Sequence, residues 1–199
     1  MKTAILVAFI GVVGLALTAA EARDGGLYAD DKNVTTGDLC NQDYWWTRFD
    51  LMMLDLAIEQ RQPEGLIAVN LASTSPRIES LMKEYPRHEG LKQMKDRVDS
   101  VLKRIDPNAS RNASWKPGCP WDESNFAQAW VNYHWGKMEL AAKNEQQALG
   151  LFDNVQRNFG YLTREGRMAD YPENLQKWVH HHKDEVDKTC EELRQRLNR

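Results

Sequence analysis

The residues most suggestive of metal chemistry are three consecutive histidines, His180 to His182, in the segment WVHHHKDE near the C-terminus. Imidazole and carboxylate groups bind zinc and other transition metals, and a zinc site takes three or four protein ligands. Successive residues of an α-helix point about 100° apart, so the three histidines cannot converge on one ion. Two pairs with i,i+4 spacing remain as metal candidates, His180 with Asp184 and His181 with Glu185. Each pair would need further ligands from elsewhere in the chain, so the sequence favours solvated side chains here.

A second candidate for chemistry is a carboxylate–imidazole pair made of Asp50 and His134. The two residues align when the halves of the chain are compared, and they would approach each other if their helices packed about a pseudo-twofold axis. Such a pair can perform acid–base catalysis, or it can satisfy two polar groups in a core. The sequence contains no Ser-centred elbow, phosphate loop, HExxH or Glu-x-x-His pattern. We therefore favour the structural role and a protein that is not an enzyme.

Helices must position these groups. In the first half of the chain, Trp45, Phe49 and Met52 recur at the spacing of one helical face. In the last segment an apolar stripe runs from Leu175 to Leu197, and His182 is the one histidine of the three that lies on it. Alternating apolar and polar runs bounded by hairpin turns do not occur in the sequence. The pattern therefore predicts an all-α fold, with His182 as a hydrogen-bonded core residue.

The sequence also indicates an internal duplication. Three segments match in the same order about 80 to 86 residues apart: CNQD with CPWD, WTRFDLMMLDLA with WVNYHWGKMELA, and MKEYP with MADYP. In this alignment Trp46 pairs with Trp130. We predict a helical bundle or α-hairpin array built from two internally duplicated three-helix units. The predicted boundaries are a single helical domain at 40–199, copy one at 40–107, a linker at 108–118, copy two at 119–199, and a second helix of copy one near 63–72.

One hairpin of the second copy is similar to the tetratricopeptide family. In the segment GKMELAAKNEQQALGLFDNV, Gly136, Ala148 and Phe152 fall where that family places small, small and aromatic residues. The first copy departs from the pattern, with Met52 and Glu64 at the two positions that should be small. The resemblance covers this hairpin alone and implies a helical binding scaffold, whereas the larger residues argue against a regular array.

The N-terminal segment predicts export. Lys2 precedes a short apolar run, and Ala20-Glu21-Ala22 fits the small-x-small cleavage pattern, so residues 1–22 are interpreted as a signal peptide. The apolar run is shorter than the roughly 20 residues that cross a bilayer, and no later run is longer. We expect a secreted or periplasmic protein with no membrane span after signal removal, and with a disordered N-terminal segment at 23–39.

Three cysteines, Cys40, Cys119 and Cys190, permit one disulfide in an oxidising compartment. If six helices alternate in direction, the first begins and the last ends at the same end of the bundle, which predicts a Cys40–Cys190 bond and a free Cys119. Three sequons would be glycosylated in a eukaryotic secretory pathway, although the sequence does not identify the source. They lie at Asn33, Asn108 and Asn112.

The function predicted from these features is that of a non-catalytic helical scaffold that binds a protein partner and holds no cofactor. The formal net charge is −3, and no basic block marks a nucleic-acid surface. The alternative is a periplasmic bundle that binds a metal or haem through His182, His134 or His88, because non-covalent haem ligation needs only one or two axial residues.

Overall fold

The computed structural model describes residues 37–59, 61–105, 124–164, 167–169, 171 and 173–198. Within these ranges all regular structure is helical, which confirms the predicted all-α class. The helices are α1 (Gln42–Glu59), α2 (Glu64–Glu84), α3 (Glu89–Leu102), α4 (Ser124–Ala141), α5 (Glu145–Leu162) and α6 (Glu173–Leu197). In these ranges no helix has the length and apolar character needed to cross a lipid bilayer. The predictions for the signal peptide, most of the 23–39 segment, the 108–118 linker, Cys119 and the three sequons fall outside the described residues.

Local chemistry sets several helix boundaries. Asn41 caps α1, because its side-chain oxygen accepts hydrogen bonds from the backbone N–H groups of Asp43 and Tyr44 at 2.8 and 3.2 Å. The α1–α2 and α4–α5 turns resemble each other, and each is closed by a backbone hydrogen bond. Gln62 N–H donates to the carbonyl of Ala57, and the equivalent donor in the α4–α5 turn reaches back to α4 at the same 2.8 Å. Both turns are therefore Schellman motifs.

Residues with positive φ lie at the C′ positions of these motifs. Arg61 has φ 54° and Lys143 has φ 65°, whereas glycine usually occupies this left-handed position because it lacks Cβ. The turns align Arg61 with Lys143, while the sequence comparison aligned Trp46 with Trp130, and these two registers differ by two residues. Because Schellman motifs end many helices, the shared turn does not establish a duplication, which stays a prediction.

The second helix of copy one is longer than the sequence predicts. It was expected to end near Ala72, but α2 continues through Pro76 to Glu84. Proline in a helix interior costs about 3 kcal/mol relative to alanine. Beyond the predicted end, α2 buries Ile78 and Leu81 completely or nearly so, and this tertiary packing outweighs the local cost.

The helices form two consecutive groups of three, α1–α3 and α4–α6, and these groups meet where α1 packs against α4. We call this α1–α4 contact the seam. Each group has its helices packed in chain order. The larger core cluster crosses the seam and holds most buried aromatic rings, while a smaller aliphatic cluster around Leu71 and Val98 lies within the first group.

The α4–α5 hairpin packs closely at its small residues. A Cβ atom added at Gly136 would lie 3.1 Å from Cζ of Phe152, and Ala148 is fully buried. The two helices therefore approach closely where the sequence places its small residues. The described helices do not show a tetratricopeptide-like repeat.

Candidate functional site

An indole–imidazole cluster crosses the seam. His134 of α4 is fully buried and stacks on the Trp45 indole of α1, with centroids 5.2 Å apart and planes at 17°. The Trp130 ring lies 4.3 Å from the same imidazole, and Trp178 of α6 lies 6.4 Å away. His182 joins the cluster through Trp178, at 4.9 Å. Helical spacing on α4 and α6 thus brings two of the predicted histidines into one aromatic core.

The cluster holds four buried polar atoms that make no hydrogen bond to any described residue: both ring nitrogens of His134 and the Nε1 atoms of Trp130 and Trp178. By contrast, Trp45 Nε1 donates to the carbonyl of Leu39 at 3.0 Å. Burial is the main reason that the pKa of His134 lies well below 6.5, and the nearby positive charge of Arg48 lowers it further. The imidazole is therefore neutral in the folded protein at neutral pH.

The predicted pair of Asp50 and His134 does not form. Asp50 instead accepts hydrogen bonds from Thr74 Oγ1 at 2.7 Å and from the Arg77 guanidinium at 2.8 Å, both on α2. The reason is helical phase. Asp50 lies five residues after Trp45, which places it about 140° around α1, away from α4. Burial raises the pKa of Asp50, and the bonds from Thr74 and Arg77 oppose that rise.

Glu185 accepts three hydrogen bonds at the edge of the cluster. Tyr133 Oη donates to it at 2.9 Å, Lys137 Nζ at 2.9 Å, and His182 Nδ1 lies 3.1 Å from it. The bond with His182 is the main cause that lowers the pKa of Glu185 to about 2. His182 is thus a buried, hydrogen-bonded core histidine, as the sequence predicted. Glu185 pairs with His182 rather than with His181.

The remaining metal candidates lie apart on the surface. His180, His181 and Asp184 are exposed, and the described part of the chain contains no group of three or more metal-ligating side chains. His88 has a local structural role. It is the N-cap of α3, its Nδ1 accepts the Leu91 N–H at 3.2 Å, and its Nε2 lies against a backbone carbonyl.

The predicted disulfide between Cys40 and Cys190 is absent, and both are free thiols. Cys190 is fully buried; burial, with Asp153 of α5 nearby, raises its pKa to about 11. Cys40 lies just before α1 and is exposed. Partial burial of its thiol, and then the negative charge of Glu139, raise the pKa of Cys40. Alternating helix directions predicted that both cysteines lie at one end of the bundle, but they did not predict which residues each cysteine contacts.

A groove lies between α1, α4 and α5. Its volume is about 540 Å³. No charged residue lines it among the described residues, and its walls carry five amide side chains and two indoles. These are Gln42, Gln128, Asn132, Gln147 and Asn154, with Trp46 and Trp135. We call this the amide–indole groove.

The indoles of this groove are fixed in place. Trp135 Nε1 donates to Glu139 at 2.8 Å, and Trp46 packs edge-on against Phe49 at 6.0 Å. Gly150 lies in the groove, and an added Cβ there would meet nothing within 4 Å, so the groove is open at that point. This site was not predicted from the sequence, because tryptophans on predicted helices are more often core residues than ligand contacts. The i,i+4 spacing of Gln128 and Asn132 on α4 was the available signal.

No family model, curated protein or solved structure matches the chain.

Proposed function

We propose that this protein is a non-catalytic, secreted or periplasmic helical scaffold whose amide–indole groove binds an extended, uncharged segment of a protein partner. The observation that carries the proposal is the lining of the groove, which combines amides and indole rings without a described charged group. Export rests on the sequence of the N-terminal segment.

The chemistry of the lining fits a polypeptide main chain. A side-chain amide both donates and accepts hydrogen bonds, as does each peptide unit of a bound chain. Indole rings supply apolar contact surface, which suits prolines and aliphatic side chains. A charged ligand would lose its hydration in this groove without gaining an ion pair. The volume of about 540 Å³ lies within the usual range of ligand clefts, about 300 to 1,000 Å³.

The ionisable groups in and around the indole–imidazole cluster are hydrogen-bonded or buried, which favours a binding function over a catalytic one. Asp50 is engaged by Thr74 and Arg77, and Glu185 holds three hydrogen bonds. His134 is sealed from solvent by aromatic rings. None of these groups lines the amide–indole groove, so its binding surface and these titratable groups are separate.

Two glycines of α5 provide a matched test. Gly150→Phe adds a ring inside the groove, whereas Gly160→Phe adds the same ring on the same helix where the space is also open and outside the groove. Peptides would be selected from a random displayed library on the full protein. We expect selected peptides to be poor in charge and to bind the wild type and the Gly160→Phe variant. Binding to the Gly150→Phe variant should be lost. Equal binding to both variants, or selection that enriches no peptide, would contradict the proposal.

The metal- or haem-binding alternative rests on the two unpartnered ring nitrogens of His134. His134 is fully buried, so the packing around its ring would have to open before either nitrogen could ligate an iron or metal ion. An absorption spectrum and metal analysis of protein purified from its own compartment would test this alternative. A Soret band or a stoichiometric metal would favour it over the scaffold.

A further inference from the structure

A second groove lies where α1 ends, α2 begins and α3 ends. Its volume is about 400 Å³. The floor is aliphatic, with Ile67, Val101 and Ile105 buried beneath it and Ile58, 44% exposed, at its side. Around this floor stand three guanidinium groups, those of Arg61, Arg97 and Arg104. The groove therefore joins an apolar surface to a positively charged rim.

The charges at the rim are unbalanced. Arg97 forms an ion pair with Asp55, and both side chains are well exposed, so the pair is screened by water and weak. Arg61 and Arg104 make no ion pair with a described residue. Glu64 is the one carboxylate among the described lining residues. The rim thus keeps an excess of positive charge for a ligand that brings a negative one.

The start of α2 adds a partial positive charge at the same place. Its N-cap is Pro63, which makes no side-chain cap hydrogen bond and has no N–H of its own. The first residue of the helix, Glu64, lines the groove. The N-terminal end of a helix carries a partial positive charge, so the helix reinforces the guanidinium groups in attracting an anion.

We infer that this groove binds a small amphipathic carboxylate, of the chemical class of a medium-chain fatty acid. Its carboxylate would pair with Arg61 and Arg104, since guanidinium groups match a carboxylate with two parallel hydrogen bonds. Its alkyl chain would cover the aliphatic floor and Ile58. The volume of about 400 Å³ lies within the range of small-molecule clefts, about 300 to 1,000 Å³.

The Schellman turns supply a matched pair of variants. Arg61 and Lys143 both hold a positive φ at the C′ position, but only Arg61 lines this groove. Replacing either by glycine relieves the same backbone strain. Arg61→Gly should therefore raise the thermal midpoint and still weaken ligand binding, which separates loss of binding from loss of folding. Lys143→Gly should raise the midpoint and leave binding unchanged.

Calorimetric titration of the full protein with decanoate, below its micelle concentration, tests the inference. We expect saturable binding at one site, with decanol at least about tenfold weaker because it lacks the charge. Arg61→Gly and Arg104→Met should each weaken decanoate binding by about tenfold. The Gly150→Phe variant should bind decanoate normally, because its ring fills the other groove. Absence of saturable binding, equal affinity for decanol, or unchanged affinity in the Arg61→Gly variant would overturn the inference.

Discussion

The unpartnered imidazole of His134 should give the protein a defined loss of stability in acid, and replacing it should remove that loss. In the folded state His134 is neutral, because burial among aromatic rings holds its pKa well below 6.5. In the unfolded chain its pKa returns to about 6.5. Between the folded and unfolded pKa values, His134 therefore binds a proton in the unfolded state and not in the folded state. Stability is fully present above pH 6.5 and is lost as the pH falls below it, until the folded pKa is reached.

The size of the effect follows from the unfolded pKa. Each pH unit below 6.5 costs about 1.4 kcal/mol, so at pH 5 the wild type should lose about 2 kcal/mol through this residue. His134→Phe removes the titrating group. Its larger ring adds a packing cost of about 1–3 kcal/mol, and removal of two unsatisfied nitrogens returns about 1–3 kcal/mol. Neither contribution depends on pH, so both cancel when stabilities at pH 7.5 and pH 5 are compared.

The assay is urea denaturation at these two pH values for the wild type, the His134→Phe variant and a His181→Gln control. His181 is exposed, so the control should keep the wild-type pH dependence. From pH 7.5 to pH 5, the His134→Phe variant should lose about 2 kcal/mol less than the wild type. An unchanged pH dependence in this variant would show that His134 is protonated or partnered in the folded state, and would refute the reasoning.

Three further outcomes are expected. Gly136→Ala should destabilise the fold by about 1–3 kcal/mol, because its Cβ would lie 3.1 Å from the aromatic ring that it faces on α5. Gly160→Ala, on an open helical surface, should stabilise by about 0.5–1 kcal/mol; equal thermal shifts of the two variants would contradict this. Cys40 should react with iodoacetamide in the folded protein, while the buried Cys190, whose pKa is raised to about 11, should react only after unfolding, as peptide mass mapping would show. Glu185→Gln should lower stability at neutral pH by about 1–2 kcal/mol. It should also reduce the loss of stability that the wild type shows as the pH falls from about 4.5 toward 2, where the pKa of this carboxyl lies; a variant with the wild-type acid profile below pH 4.5 would contradict the assigned network.

The helical class could be predicted because the spacing of apolar residues along the sequence is itself helical. The same local geometry correctly separated the three histidines, with His182 buried against Glu185 and His180 exposed. The prediction failed where the energetic cost of a residue within a helix was outweighed by packing against residues distant in the sequence. The second helix of copy one was predicted to end near Ala72, but it continues through Pro76, because the burial of Ile78 depends on contacts that a single segment does not reveal.

The candidate sites depend on which helical faces meet, and this could not be read from either helix alone. The error over Asp50 is one of phase, since a residue five positions from Trp45 turns toward α2 instead of α4. The amide–indole groove needs three helices at once, so its residues appeared as separate polar and aromatic positions. Neither the face of Cys190 nor the partner of Glu185 was fixed by helical periodicity, because periodicity gives the direction of a side chain without naming its neighbour.

Neither half of this protein closes its own aromatic surface. The side chains of Trp45 and Phe49, in the first group of helices, pack against rings of the second group. These rings belong to Phe126, Trp130 and His134. Expressed as two separate polypeptides, the halves would present these rings to water and would reassemble on mixing.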